Sequence, residues 1–206
     1  MIKYFLFLFF VGLSITNINA QDAMVADLKI QGNKKIKTSF IKKISVLESG
    51  KILDSTIIEN DIKRLKRLPS VSHAYFQVFP SEGNTYNVFY NIVENFTIIP
   101  SVNIYTTNDD EFAYRIGLYE FNMFGQNIAF GGFYQKDIYN SYAINFRAPN
   151  LFSRRFGLAV NHQDLTTQEP VFFNDDIAQY KYNNNSLEVL GLFEINFNLI
   201  IDLIIN

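Results

Sequence analysis

From residue 96 onward apolar residues recur at every second position: Ile98, Pro100, Val102 and Ile104, then Phe112, Tyr114, Ile116 and Leu118. Ile128, Phe130, Gly132 and Tyr134 continue the pattern, followed by Tyr142, Ile144 and Phe146, and by Phe156, Leu158 and Val160. The positions between them carry Asn103, Arg115, Gly117, Ala129, Gly131, Gln135, Asn145, Arg147, Ala159 and Asn161. A period of two puts the apolar set on one face of a strand and the small or polar set on the other. Polar segments at 107–111, 122–127, 136–141 and 148–155 break the runs. The spacing predicts antiparallel strands of roughly 9–11 residues, the length that crosses a bilayer at a tilt.

Before residue 95 the pattern is mixed. "VADLKIQGN" at 25–33 predicts a short strand ending in Gly-Asn. Phe40, Ile41, Ile44 and Leu47 have helical spacing, with Thr38 or Ser39 as N-cap and Gly50 as the stop. Ile58, Ile62 and Leu65 predict a second helix, opened by a Thr56–Glu59 capping box and ended by Pro69. "VSHAYFQVFP" and "YNVFYNIVEN" then alternate as two strands around "SEGN". The predicted order is β-α-α-β-β.

The first twenty residues are distinct again: Lys3, an apolar block from Tyr4 to Leu13, then "TNINA" ending on Ala20. This is the pattern of a secretory signal peptide, too short and too early interrupted for an anchor. The domain reading is therefore 1–20 signal peptide, 24–95 a mixed α+β unit, and 96–206 strands.

Charge divides the chain at the same place. Residues 24–95 hold eleven Lys and Arg against seven Asp and Glu, whereas 96–206 hold six against twelve. The cationic run Lys63, Arg64, Lys66, Arg67 sits where a helix dipole favours positive charge, and export removes the chain from nucleic acid. With no cysteine there are neither disulfides nor a lipid-anchoring thiol.

No catalytic, cofactor-binding or metal-binding residue is predicted. His73 lacks companions at ligand spacing. His162, Asp164 and Ser153 come without a Gly-x-Ser-x-Gly elbow, and the two "NDD" segments at 108–110 and 174–176 lack the Asp-x-Asp-x-Asp-Gly loop. An enzyme is not expected.

A soluble sandwich also alternates, so periodicity alone leaves two solvents open. Three features favour lipid: Tyr and Phe concentrated near strand ends, a second face that is polar and glycine-containing, and an exported chain without cysteine. In a bilayer every backbone group must be paired, which requires a closed sheet.

The order of elements, with "IQGNKKI" (including Gly32 and Asn33), "ENDIKRLKRLPSVSHAYFQV" and "NVFYNIVEN", resembles a POTRA domain. "YEFNMFGQNIAFGGFYQ", through Glu120, Asn122, Phe124 and Gly125, resembles the first short turn of assembly-family barrels, and "RAPNLFSRRFGLAV", with Pro149, resembles the next hairpin. Residues 24–164 are thus similar to the last POTRA domain and first strands of the BamA/TamA-like surface-antigen family. The resemblance implies an α+β POTRA-like domain in the periplasm, followed by antiparallel all-β transmembrane strands of a partial barrel in the cell outer membrane. It implies a component of outer-membrane protein insertion or polypeptide translocation. The implied partners are outer-membrane lipid, unfolded client polypeptides and accessory assembly proteins. The strands carrying Val71, Tyr75 and Phe79, and Tyr86, Val88 and Tyr90, are the candidate client contacts, by β-augmentation.

Family barrels close with about sixteen strands, while the residues after 95 suffice for roughly seven or eight at the spacing above. The Arg-Gly-aromatic lumen motif is missing, and "NLIIDLIIN" abandons alternation. The expectation is a truncated copy. The alternatives are a small outer-membrane barrel with a POTRA-like domain, several short chains sharing one barrel, or a soluble secreted or periplasmic β-rich binding protein.

Overall fold

The computed structural model describes residues 22–107, 110–173, 176–196 and 199–205. Residues 1–20, expected from the sequence to be a signal peptide, lie outside this set, as do Asn108, Asp109, Asn174 and Asp175 of the two "NDD" segments.

The N-terminal unit runs β1 (Met24–Gln31), α1 (Thr38–Ile44), α2 (Ser55–Lys66), β2 (Val71–Pro80) and β3 (Thr85–Glu94). Its sheet has the order β1-β3-β2, with β1 parallel and β2 antiparallel to β3. Both helices pack their apolar stripes on it, burying Phe40, Ile41, Ile44, Ile58, Ile62 and Leu65 against Val25, Leu28, Val88 and Tyr90. One polar network lies inside this core. The buried Asp61 carboxylate accepts from the Val46 and Leu47 amides and from the Tyr90 hydroxyl at 3.0 Å. Burial, and then the neighbouring Asp61 charge, push the Tyr90 hydroxyl far above its ordinary pKa.

That network corrects the first helix. α1 stops at Ile44 because Ser45 turns extended and the next two amides go to Asp61. Leu47 is core without being helical. The N-cap is Lys37, with no side-chain cap, in place of Thr38 or Ser39. α2 is capped by Asp54, which accepts from the Thr56 amide at 2.7 Å, so the Thr56–Glu59 box is not used. A carboxylate already two residues ahead satisfies that donor.

The second sheet is a seven-stranded antiparallel meander in chain order, β4 (Ile98–Thr106), β5 (Phe112–Met123), β6 (Ile128–Lys136), β7 (Asn140–Ala148), β8 (Phe156–Phe172), β9 (Ile177–Asn196) and β10 (Leu199–Ile205). It is open: β4 and β10 are its two edges. One expectation changes here. β8 and β9 reach 17 and 20 residues, well beyond 9–11, because their largely polar outer halves, from Asp164–Asn185 to Phe172–Ile177, keep pairing outside the apolar band. Leu199–Ile205, where alternation is abandoned, pair along β9 as β10; backbone pairing needs no alternation.

Cross-strand registers place Val102 beside Ile116, Ile116 beside Tyr134, and Tyr134 beside Tyr142 on one face. That face leaves Val102, Ile104, Phe112 and Leu118 between 59% and 69% exposed, far too much contiguous apolar surface for water. Near the end remote from the α/β unit, a row of rings crosses four strands: Tyr114 and Tyr134 have centroids 6.3 Å apart, and Tyr142 lies 5.6 Å from His162. The opposite face is lined by small and polar groups, with Arg115 stacked on Phe133 and Arg147 of β7 paired to Asp202 of β10 across the two strands between them.

Candidate functional site

The chain carries its most specific geometry where the α/β unit meets the sheet, and three successive strand ends build it. The first is the β5–β6 turn. Glu120 accepts from the Asn122 amide at 2.7 Å, and the Asn122 side chain accepts from the Asn127 amide at 3.1 Å. This locks a turn in which Phe124, Gly125 and Asn127 all have positive φ. Gly125 is required: with φ 68°, any Cβ would overlap the Lys35 carbonyl. Its own carbonyl accepts from the Lys37 amide at 2.9 Å.

The receiving loop is equally constrained. The Glu94 carboxylate accepts the amides of Lys34, Lys35 and Ile36 at 2.6–3.0 Å. Asn33 donates to the Ile36 carbonyl at 2.7 Å and to the Thr38 hydroxyl at 3.0 Å. Gly32, at φ 81°, passes so close to the Ile92 carbonyl that a Cβ would overlap it.

The second contact is from the β7–β8 turn, where the Lys43 ammonium donates to the Asn150 carbonyl at 2.6 Å. Partial burial lowers the Lys43 pKa. The third is from β9: the Arg64 guanidinium grips both oxygens of Glu194, at 2.7 and 2.5 Å, with side chains only 17% and 13% exposed. Between these contacts lies a cavity of about 170 Å³ lined by Ile44, Arg64, Asn127, Pro149, Leu192 and Glu194. The structure thus brings Gly32, Asn33, Glu120, Asn122, Gly125 and Pro149 to one junction, while the Phe124 ring stays 65% exposed beside it.

Lys43 and Glu194 were not singled out by the sequence, and Arg64 only as one of a cationic run at a helix end. The signal for them was the charge asymmetry: a basic unit meets an acidic one, and Arg64 leaves the dipole-favoured run to pair with the sheet. Residues with an imagined hydrolytic role stay apart. Ser153 caps the Arg155 and Phe156 amides at the foot of β8, His162 bonds the Tyr142 hydroxyl and the Ser186 carbonyl, and Asp164 accepts from Asn183. His73 lies beside Tyr75 on β2.

The candidate client strands separate. β3 is the central strand, paired on both sides, and Val88 and Tyr90 are fully buried. Tyr86, Val88 and Tyr90 therefore offer no edge, a correction that follows from β1 having taken the outer side of β3. The start of β1 is itself covered, with Val25 and Gly50–Lys51 exchanging backbone bonds at 2.7–2.8 Å. The outer side of β2 pairs with no other described strand, and Tyr75 and Phe79 are 45% and 48% exposed there, while Val71 is buried.

A mixed α/β unit docked under an open antiparallel sheet with an apolar outer face defines the class: a POTRA-type unit joined to the strands of a partial barrel. Residues 23–95 match the POTRA family, described as a surface antigen variable number repeat. No protein of curated function matches the sequence. The crystal structure of BamA from Haemophilus ducreyi lacking POTRA domains 1-3 is similar over 85% of this chain, with a TM-score of 0.64 at 16% identity. CdiB from Acinetobacter baumannii is similar over 85%, with a TM-score of 0.55 at 14% identity. The chain spans about a third of the length of each, 33% and 34%. The fold of the described residues is thus similar to part of BamA.

Proposed function

We propose that the chain serves outer-membrane protein assembly or polypeptide translocation, with the sheet in the outer membrane and the POTRA domain on its periplasmic side. The observation that carries this reading is the POTRA domain held beneath a sheet whose outward face is apolar. Aromatic rows at strand ends suit the membrane interface, and the chemistry asked of the chain is non-covalent. The uncovered edge of β2 takes up extended client segments by strand addition, with Tyr75 and Phe79 as side-chain contacts.

A photo-crosslinking amino acid placed at Tyr75 or Phe79 in growing cells tests this. Adducts with newly exported outer-membrane polypeptides are expected from both positions, and none from exposed Glu59 on α2. Equal labelling at Glu59, or no client adduct at either β2 position, rules out capture on this edge.

A further inference from the structure

Beneath the β7–β8 turn the two units border an open recess of about 450 Å³ whose lining includes Lys42, Lys43, Glu48, Arg154, Arg155 and Phe156. Four cations thus face one acid. Lys43 is already committed to the Asn150 carbonyl. Lys42, Arg154 and Arg155 form no ion pair with a described residue. Cations that line one recess repel one another, so the recess favours an anion to share. Arginines in particular match the planar, multidentate acceptor set of a phosphate group.

The recess ends at the membrane-facing surface. Phe156, 52% exposed, pairs beside Phe193 on the same face as Leu158 and Val160, which adjoin Ala148 and Phe146 of β7. Phe152, in the same turn, is 70% exposed. A cationic pocket that opens directly onto the lower margin of an apolar band suits an amphiphile with an anionic head.

We propose that this recess binds the phosphate headgroup of an anionic phospholipid in the leaflet next to the POTRA domain. Arg154, Arg155 and Lys42 take the phosphate, and Phe156 and Phe152 lie along the acyl chains. The inference rests on the reading that the sheet sits in a bilayer. A headgroup held here would touch both units at once, α1 through Lys42 and the sheet through Arg154 and Arg155.

The full chain is reconstituted into phosphatidylcholine vesicles with and without phosphatidylglycerol, tested for flotation, re-extracted in non-ionic detergent, and titrated with phosphatidylglycerol under native mass spectrometry. Tight retention of phosphatidylglycerol over phosphatidylcholine is expected. Each of Lys42→Gln, Arg154→Gln and Arg155→Gln should weaken it by about fivefold, the effect of one cation near an anionic surface. Arg155 is exposed, so Arg155→Gln keeps the fold, which circular dichroism verifies for all three. Flotation without lipid preference, or a triple variant that retains phosphatidylglycerol like the parent, overturns the proposal while leaving the membrane reading intact. Displacement by inorganic phosphate also overturns it, in favour of a free-anion site. Failure to float with neutral vesicles overturns the membrane reading, and this inference with it.

Discussion

Replacing Arg64 by glutamine should loosen the POTRA domain from the sheet without unfolding either. A buried ion pair that loses one partner costs about 3–5 kcal/mol, and an exposed pair contributes below about 1. With side chains 17% and 13% exposed and two short bonds, the Arg64–Glu194 pair falls between, at about 2 kcal/mol, or roughly a 30-fold change in an equilibrium. The reporter is the Lys37 amide, which bonds the Gly125 carbonyl across the same junction. Hydrogen exchange of a peptide covering Lys37 should speed up by about 30-fold in Arg64→Gln and in Glu194→Gln, whereas amides of β3 keep their protection. The swapped pair Arg64→Glu with Glu194→Arg should recover most of the loss. Exchange changed less than about twofold in either single variant, or a double variant as loose as the sum of the singles, would refute the assignment of docking energy to this pair.

Two further outcomes follow from the same geometry. Gly125→Ala should open the junction while leaving the POTRA domain's own melting unchanged, because the added methyl meets the Lys35 carbonyl at a positive φ; Gly32→Ala, which meets the Ile92 carbonyl inside the domain, should instead lower that melting temperature. Tyr90 holds its proton more tightly folded than unfolded, so its contribution is intact below about pH 10, the ordinary tyrosine value, and fades above it by up to about 1.4 kcal/mol per pH unit. Alkaline titration of stability should be correspondingly shallower in Tyr90→Phe, and identical slopes in the two proteins would count against the buried hydroxyl.

Periodicity made the strands legible, since alternation of two is a direct image of a sheet with unlike faces. The β5–β6 turn was legible for a related reason: its Asn, Gly and acidic residue are there to satisfy local amides and a positive φ. The helix ends were not, because Asp61 reaches α1 across 14 and 15 residues and no local window contains both partners. The length of β8 and β9 was hidden by polar residues that look like loop and are paired strand. Pairing order was hidden too. That β3, and not β2, is central depends on β1 adding in parallel, which the two hairpin strands do not encode. The junction was half visible: its glycines and turn residues showed as a motif, while Lys43, Arg64 and Glu194 are ordinary charges until the fold sets them face to face.

The meander also separates local from distant contacts. Every strand pairing in the sheet joins neighbours in the chain, so the sheet grows by short loop closures, hairpin upon hairpin. The docking contacts are different: Lys43 and Asn150 are 107 residues apart, and Arg64 and Glu194 are 130 apart. Closing those loops costs entropy that only a formed partner surface offsets. Along the chain the fastenings of the seam follow one another, Gly125 in the β5–β6 turn, Asn150 in the β7–β8 turn and Glu194 on β9. Without the Glu194 contact of β9, the α/β unit would be held to the sheet by two of these three fastenings alone.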